Sequence, residues 1–364
     1  MSFTEADVQG ALKTLIDPNT KKDFVSGKSV KNVKISGNDV SLDILLGYPA
    51  KSVWGEIQTM VEGHLKSALP GAGKVSANVS SKVVPHAVQR GVKLVEGVKN
   101  IIAVASGKGG VGKSTTAVNL ALALAAEGAR VGMLDADIYG PSQPTMLGIS
   151  GNPDSEDGKT MKPMESHGLQ AMSIGFLIDA HDTPMIWRGP MVTQALDQLL
   201  HQTKWDNLDY LVVDLPPGTG DVQLTLAQKV PVTGAVIVTT PQDIALLDAR
   251  KGLKMFEKVG IKIVGIVENM STHICTNCGH EEHIFGAGGG EKMCADYNTE
   301  FLGGLPLDIR IREQADSGTP TVVADPDGNI AKVYKQIARR IAVKVADMAQ
   351  DHSAAFPKIV VQST

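Results

Sequence analysis

Cysteine is scarce in this sequence, and its scarcity excludes one class of protein. The 364 residues contain three cysteines, Cys275, Cys278 and Cys294, which all lie in the last third of the chain. Three clustered thiols are too few for the disulfide framework of a small secreted protein. We therefore expect metal or redox chemistry from these residues rather than structural cross-links.

Excess charge, long apolar runs and a secretion signal are missing as well. The formal net charge is −4, which gives no electrostatic reason to expect a nucleic-acid partner. No apolar stretch approaches the roughly 20 residues that a bilayer-spanning helix needs. The acidic N-terminal residues have neither the basic start nor the apolar segment of a signal peptide. The resulting expectation is a cytoplasmic protein with no membrane partner.

The length and the 43% of apolar residues allow two domains with sizeable cores. Residues 1–82 have the pattern of a small α+β unit, with helices over 5–16 and 52–69 and strands over 30–35, 40–46 and 74–79. Residues 83–99 have the composition of a linker, punctuated by Pro85, Gly91 and Gly97.

From residue 100 to about 350, short apolar runs alternate with helical patterns. The runs cover residues 101–105, 130–134, 169–174, 210–213, 235–239 and 261–267. Near-continuous apolar strands separated by helices predict an α/β domain, with a mostly parallel sheet covered on both faces. Ligands bind such sheets at the carboxyl ends of the strands. Residues 351–364 form a tail in which Pro357 interrupts any helix.

A glycine-rich motif follows the first of these apolar runs and precedes a helical pattern. It matches G-x-x-x-x-G-K-[ST], the phosphate-binding loop of P-loop NTPases. Its residues are Gly107, Lys108, Gly109, Gly110, Val111, Gly112, Lys113, Ser114 and Thr115. The glycines let backbone N–H groups surround phosphate oxygens, Lys113 reaches the β- and γ-phosphates, and the Ser114 hydroxyl binds Mg²⁺. A strand-to-helix turn that binds nothing is the alternative.

Lys108 adds a second lysine to this loop, at a position where an ordinary P-loop needs no cation. In this respect the sequence resembles the deviant Walker A family, which contains the MinD and ParA ATPases, the nitrogenase iron protein and the Mrp/ApbC proteins. The resemblance implies that Lys108 reaches across a homodimer interface to the nucleotide of the other subunit. A solvated lysine on a loop is the alternative.

The same resemblance assigns further nucleotide-binding residues at the strand ends. Asp137 aligns with the acidic residue of the family's first switch loop, while the neighbouring Asp135 either supports that loop or only ends its strand. Asp214 fits the Walker B position, and Gly218 offers its N–H to the γ-phosphate. Asn269 takes the place of the asparagine that reads the adenine edge, so ATP is expected rather than GTP. Residues 305–310 resemble a second base-contacting loop.

Cys275 and Cys278 form a C-x-x-C pair that supplies two of the four ligands that a tetrahedral metal site requires. His280 and His283 follow closely, so the spacing alone leaves an intrachain zinc site and an iron–sulfur site comparable. The thioredoxin type of dithiol lacks its usual context. Resemblance to the Mrp/ApbC cluster carriers favours iron and sulfide: two pairs on a dimer axis would together hold one four-iron four-sulfur cluster. Cys294 is expected to be a buried free thiol in a helix.

These features together predict a homodimeric, ATP-hydrolysing carrier that receives a cluster from assembly scaffolds and delivers it to apoproteins. The N-terminal unit resembles cluster-assembly factors of the MIP18 type, but residues 1–82 contain no cysteine, so an interaction or regulatory role is expected for it. Two alternatives remain at this point. One is a MinD-like or ParA-like positioning ATPase, which the tail and the charge balance disfavour. The other is a zinc-binding ATPase that acts as an interaction scaffold.

Overall fold

The computed structural model of the protein describes residues 3–86, 93–178, 189–275 and 277–352. The chain divides into two compact units, which are Met1–Val84 with Ala126–Gly128, and Pro85–Ala125 with Ala129–Thr364. Among the described residues, no helix combines the length and the apolar character that crossing a bilayer requires. The predicted tail falls almost wholly outside these residues, as does the central part of the predicted linker.

The N-terminal unit is a three-stranded sheet with two helices. Its elements are α1 (Glu5–Leu12), β1 (Val30–Ser36), β2 (Asp39–Leu46), α2 (Trp54–Ala68) and β3 (Val75–Ser81). Helix α1 begins at a capping box, in which Thr4 and Asp7 bond each other's backbone N–H groups. Strand β2 alternates buried and exposed residues, and it lies between β1 and β3. Helix α2 buries Ile57, Val61 and Leu65, which recur every four residues.

The C-terminal unit is built on a nine-stranded sheet. Its strands are β4 (Ile101–Ala105), β5 (Val131–Asp135), β6 (Met164–Ser166), β7 (Leu169–Ser173), β8 (Tyr210–Asp214), β9 (Gly234–Thr239), β10 (Ile263–Ile274), β11 (Glu281–Glu282) and β12 (Phe301–Pro306). The strand order is β11-β10-β9-β4-β8-β5-β7-β6, and β12 also pairs with β10. Only the β6–β7 and β10–β11 pairs are antiparallel in the described sheet. The predicted mostly parallel sheet is therefore confirmed.

Helices connect these strands along the chain. They are α3 (Lys113–Ala126), α4 (Gln143–Met146), α5 (Gly189–His201), α6 (Asp221–Lys229), α7 (Asp243–Lys258), α8 (Gly289–Asp296), α9 (Ile309–Asp316), α10 (Thr321–Ala324) and α11 (Asn329–His352). All residues of β4, β5, β8 and β9 are buried, because helices cover both faces of the central sheet. The carboxyl ends of β4, β5 and β8 are adjacent, and this edge carries the predicted nucleotide site.

The structure differs from the sequence prediction in three ways, two in its strands and one in the linker. Strand β10 continues seven residues beyond the predicted end at residue 267, to Ile274. Strands β6, β11 and β12 have no counterpart in the prediction. Residues 97–99, which the prediction places in the linker, hydrogen-bond to Leu208 just before β8: Leu208 donates to the Gly97 carbonyl over 2.6 Å, and Lys99 donates to the Leu208 carbonyl over 2.9 Å.

Candidate functional site

The glycine-rich loop joins the end of β4 to the start of α3, as the motif predicts. Gly110 and Gly112 have φ angles of +82° and +78°, a backbone conformation that glycine adopts without strain. Gly107 is required for a different reason, since a Cβ atom there would collide with the α7 backbone at Asp248. The loop is thus held close to α7, with its N–H groups near the start of α3, where an anion is favoured.

A buried ion pair lies at the centre of the site. The Lys113 ammonium contacts Oδ1 of Asp214, and the two side chains are 6% and 0% exposed. The same ammonium donates to Oγ of Ser114 over 3.1 Å. Removing either partner of such a pair would leave an uncompensated buried charge. The structure therefore brings Lys113 and Ser114 together with Asp214, the predicted Walker B residue, which lies 101 positions after Lys113 in the sequence.

Asp135 and Asp214 lie opposite each other on the paired strands β5 and β8. Burial raises the pKa of Asp135 to about 7, and the negative charge of Asp214 adds to the shift. Asp135 accepts hydrogen bonds from the N–H groups of Asp137, Ser142 and Gln143 and from the Ser173 hydroxyl. It therefore holds the loop after β5, which was one of its two predicted roles.

Asp137 lies at the more open side of this acidic pair. Its side chain is half-buried, and burial raises its pKa above the ordinary value. Oδ1 of Asp137 accepts the N–H of Gly140 over 3.3 Å. With Ser114 and Asp214, Asp137 contributes hard oxygen donors of the kind that Mg²⁺ prefers.

Gln143 is a site residue that sequence reasoning missed. It is 1% exposed. Its side-chain amide donates to Oδ2 of Asp214 over 2.9 Å and to the Ser114 carbonyl over 3.2 Å. Nothing in the spacing of polar residues predicts this contact, because Gln143 follows a proline-containing loop and its partner Asp214 is 71 positions away.

Gly218 and Asn269 both contact the loop region. The N–H of Gly218 donates to the Ser106 carbonyl over 3.0 Å. The Asn269 side-chain amide donates to the Val111 carbonyl over 2.9 Å, and a Cβ on Gly112 would collide with that amide. The predicted γ-phosphate donor and the predicted base-reading residue thus lie beside the loop, and each makes a protein contact there.

Lys108 is half-buried at the loop. Its carbonyl accepts a hydrogen bond from the Ser106 hydroxyl over 2.9 Å. Within the described part of the chain, its ammonium group has neither an ion pair nor a hydrogen bond, in contrast to the buried Lys113. The two lysines of the loop therefore differ in their environments within one chain.

The C-x-x-C pair lies at the tip of a β-hairpin that β10 and β11 form. The N–H of Cys275 donates to the His280 carbonyl over 2.9 Å, and the N–H of Gly279 donates to the Cys275 carbonyl over 2.8 Å. Hydrogen bonds from the backbone N–H groups of Cys278 and Asn277 lower the pKa of the Cys275 thiol. Cys275 is partly exposed and Cys278 is exposed, so both thiols are accessible to a ligand at the tip.

The histidines near this pair do not complete a metal site. The ring Nδ1 of His283 lies 2.9 Å from the Ser271 carbonyl, to which it donates. No group of three or more His, Cys, Asp or Glu side chains in the described residues is arranged to hold a metal ion. Cys294 is buried in α8, where burial raises its pKa to about 12. The two hairpin thiols are therefore two of the four ligands that a tetrahedral site needs, with no third ligand-type side chain grouped with them in the described residues.

Glu268 and residues 305–310 support the strand that leads to the cysteines. The buried carboxylate of Glu268, which the sequence analysis also missed, accepts the Gly290 N–H over 2.6 Å and the Ser271 hydroxyl over 2.8 Å. The N–H of Leu307 donates to the Thr272 carbonyl over 2.7 Å. These bonds fix β10 on both sides of Met270, a residue with a φ angle of +56°.

Two family models match the chain. One, described as a NUBPL iron-transfer P-loop NTPase, covers residues 97–342. The other, described as an iron–sulfur cluster assembly protein, covers residues 5–79. The matches correspond to the two units of the fold, and the second agrees with the predicted resemblance of the N-terminal unit to cluster-assembly factors.

Curated relatives carry related descriptions. The iron–sulfur cluster carrier protein of Escherichia coli (strain K12) is 51% identical over 341 residues, which are 93% of this chain and 92% of that protein. The iron–sulfur cluster transfer protein NUBPL of Mus musculus is 52% identical over 251 residues, which are 68% and 78% of the two chains.

Solved structures agree with the fold. A nucleotide-binding protein from Archaeoglobus fulgidus in complex with ADP has a TM-score of 0.57 and 36% identity, and the match covers 65% of this chain and 92% of that protein. The cell division ATPase MinD of Pyrococcus furiosus has a TM-score of 0.52 and 22% identity, covering 66% and 98%. At that identity the second match indicates the fold alone.

Proposed function

The chain belongs to the family of iron-transfer P-loop NTPases that includes the iron–sulfur cluster carriers, and on this premise we propose how it holds its cargo. Two copies bind one four-iron four-sulfur cluster between their Cys275–Cys278 pairs and pass it to apoproteins under the control of ATP. The observation that carries the proposal is the accessible pair of thiols at the hairpin tip, which is half of the set that a four-thiolate site needs.

The nucleotide half of the proposal uses the residues around the loop. Phosphate oxygens accept the loop N–H groups, and Lys113 turns from Asp214 to the β- and γ-phosphates. Ser114, Asp137 and Asp214 provide oxygen donors that fit Mg²⁺, either directly or through water. When bound, Mg²⁺ neutralises charge on the phosphates. Asp214 stays in place for this role through its remaining hydrogen bond from Gln143.

Adenine is the base that we propose for this site. The Asn269 amide has both a donor and an acceptor, which suits the adenine edge. Asn269 lies beside the phosphate loop, where its side chain bonds Val111, and the 36% identical Archaeoglobus fulgidus protein is described with ADP. A direct comparison of ATP and GTP binding tests this point, and tighter GTP binding would contradict it.

The cluster half of the proposal requires a dimer. Each iron of a four-iron cluster takes one thiolate, so two C-x-x-C pairs provide the complete set. A two-fold axis through the hairpin tips makes the two pairs equivalent. Lys108 supports this arrangement, because its ammonium is without an ion pair in the described part of one chain and is suited to the phosphates of a second copy.

A short segment of β10 connects the phosphate loop to the cysteine hairpin. Asn269 bonds the phosphate loop, Met270 has an unusual positive φ, and the Ser271 carbonyl accepts the His283 ring from the returning side of the hairpin. Cys275 follows only six positions after Asn269. A change at the loop on nucleotide binding is thereby transmitted to the hairpin, which alters how firmly the thiolates hold the cluster.

The N-terminal unit is proposed to recognise protein partners, which include assembly scaffolds and recipient apoproteins. Residues 1–82 have no cysteine and therefore supply no thiolate to the cargo. Their match to a cluster-assembly family supports a role in the same process.

Anaerobic reconstitution with iron and sulfide tests the cluster assignment. The wild type is expected to gain the visible absorption of a cluster with about two iron atoms per chain, half of a four-iron cluster. Cys275→Ala is expected to gain neither, while the matched control Cys294→Ala retains both because the buried thiol is not a ligand. An unchanged spectrum in Cys275→Ala contradicts the assignment, as does a stoichiometric zinc ion that iron does not displace.

Coupling to ATP is tested separately by transfer from the reconstituted protein to an apoprotein acceptor. Lys113→Ala is expected to bind a cluster but to transfer it without any response to ATP, because the loop no longer engages the phosphates. Equal ATP-dependent transfer by Lys113→Ala and the wild type would contradict the proposed coupling between ATP and cluster transfer.

A further inference from the structure

Gln143 is a buried polar residue beside the nucleotide site, and only its hydrogen bond to Asp214 enters the function above. It is the first residue of α4, and only 1% of it is exposed. A carboxamide placed among buried groups costs free energy unless its hydrogen bonds are made. The contacts of Gln143 therefore indicate why a glutamine stands here.

The partners of the side chain fix its orientation. Oδ2 of Asp214 and the Ser114 carbonyl are both acceptors, so the NH₂ group must point to them, and it uses both of its protons in doing so. The amide oxygen Oε1 consequently faces away from these two atoms. It is buried, and it has no hydrogen-bond partner among the described residues.

Gln143 Oε1 is thus an acceptor next to Ser114 and Asp214 that is available to a donor arriving with the ligand. The inner shell of Mg²⁺ at nucleotide sites usually keeps several waters, and these waters are strong donors. The backbone of Gln143 is itself fixed, because its N–H donates to Oδ2 of Asp135 over 3.1 Å. The carboxamide is therefore held rigidly between the two acidic strand ends.

We propose that Gln143 is a positioning residue of the ATPase that supports bound Mg²⁺. Its NH₂ group keeps Asp214 oriented after Lys113 has turned to the phosphates, and its Oε1 accepts a hydrogen bond from a water molecule on the metal. The inference rests on the nucleotide half of the proposed function and is independent of the cluster.

Asp214 is the group that this arrangement protects. Its two oxygens have different partners, Lys113 on Oδ1 and Gln143 on Oδ2. Once Lys113 pairs with phosphate, the Gln143 amide is the remaining described side-chain donor that prevents the carboxylate from rotating. Without it, the carboxylate must be reoriented each time the metal binds, and the cost appears as weaker metal affinity.

The test measures ADP binding by calorimetry, with saturating Mg²⁺ and with the metal removed by EDTA, for the wild type and for Gln143→Met. Methionine has nearly the same length but neither donates nor accepts a strong hydrogen bond. We expect unchanged metal-free affinity and a loss of about tenfold or more in the tightening that Mg²⁺ produces, as for a lost hydrogen bond to a charged group. The control Gln336→Met, at an exposed position on α11, is expected to behave as the wild type.

Equal tightening by Mg²⁺ in Gln143→Met and in the wild type would overturn the inference. Failure of the wild type to bind ADP would instead contradict the nucleotide half of the proposed function. Thermal unfolding without nucleotide confirms that the variant is folded. Gln143→Asn provides a second test with a polar side chain that is one methylene too short to reach both Asp214 and Ser114, and the same loss is expected for it.

Discussion

At the scale of single residues, a local motif predicts some site residues, namely Lys113, Ser114 and Asp214. Their predicted roles follow from residue type and from position, since Lys113 and Ser114 end the phosphate-loop motif at the start of α3 and Asp214 ends β8. Gln143 and Glu268 carry no such signal. The Gln143 carboxamide hydrogen-bonds a group 71 positions away, and the Glu268 carboxylate hydrogen-bonds one 22 positions away. Only the folded chain brings these groups together.

The ion pair at the site leads to a prediction about stability. Lys113→Met leaves the buried Asp214 carboxylate without its cation, and we expect the nucleotide-free C-terminal unit to lose about 3 kcal/mol of unfolding free energy. Urea denaturation checks this, with Lys108→Met as the matched control on the same loop. Equal losses in the two variants would mean that the pair does not stabilise the site.

The three cysteines are predicted to differ in reactivity. Cys275 and Cys278 are accessible at the hairpin tip, whereas the Cys294 thiol is buried and has its pKa raised to about 12, so almost no thiolate is present at pH 8. Titration of the metal-free, reduced protein with a thiol reagent should give two fast equivalents and a third only after denaturation. Cys294→Ala should abolish the third. Three fast equivalents in the native wild type would contradict the burial of Cys294.

At the scale of elements, the central strands were predicted well because their buried apolar runs are unambiguous. The strands that the sequence did not predict were missed for physical reasons. Strand β12 contains two glycines and ends in proline, and β11 is two exposed glutamates, so neither has an apolar pattern. The polar second half of β10 is a strand because β12 and β11 pair with it. These pairings are tertiary, and no local propensity encodes them.

The space around two glycines predicts opposite outcomes when each is replaced by alanine. In β10, a Cβ on Gly265 would lie 2.5 Å from the Glu300 carbonyl oxygen and 2.6 Å from Cγ of Leu302. We expect Gly265→Ala to destabilise the C-terminal unit by about 1–3 kcal/mol. Gly63, exposed in the middle of α2, has nothing within 4 Å of its Cβ position. Gly63→Ala should stabilise the N-terminal unit by about 0.5–1 kcal/mol. Denaturation curves for each unit check both values, and a neutral Gly265→Ala would contradict the packing.

At the scale of the whole molecule, the account depends on a second copy of the chain. Two family models match the chain, over residues 97–342 and 5–79, and the chain divides into two compact units. The dimer rests on residue chemistry, namely a loop lysine suited to a neighbouring subunit and a C-x-x-C pair that supplies half of a four-thiolate set. Both remain predictions, because a sequence motif identifies a ligand type and not the chain that supplies its partners.

Lys108 offers the simplest test of the assembly. With Mg²⁺ and a non-hydrolysable ATP analogue, light scattering should detect dimers of the wild type but mostly monomers of Lys108→Ala, since the second positive charge no longer reaches the partner's phosphates. Lys258→Ala, an exposed position at the end of α7, is the matched control and should dimerise normally. Normal nucleotide-dependent dimerisation of Lys108→Ala would assign that lysine to its own subunit or to solvent.

The central claim is that one cluster is shared between two chains through the hairpin cysteines. Native mass spectrometry of the anaerobically reconstituted protein measures this directly, because it weighs the metal cargo together with the number of chains that hold it. We expect a species of two chains with four irons and four sulfides, which is absent when Cys275 and Cys278 are replaced by alanine. A single chain that carries a complete cluster or a firmly bound zinc ion would contradict it.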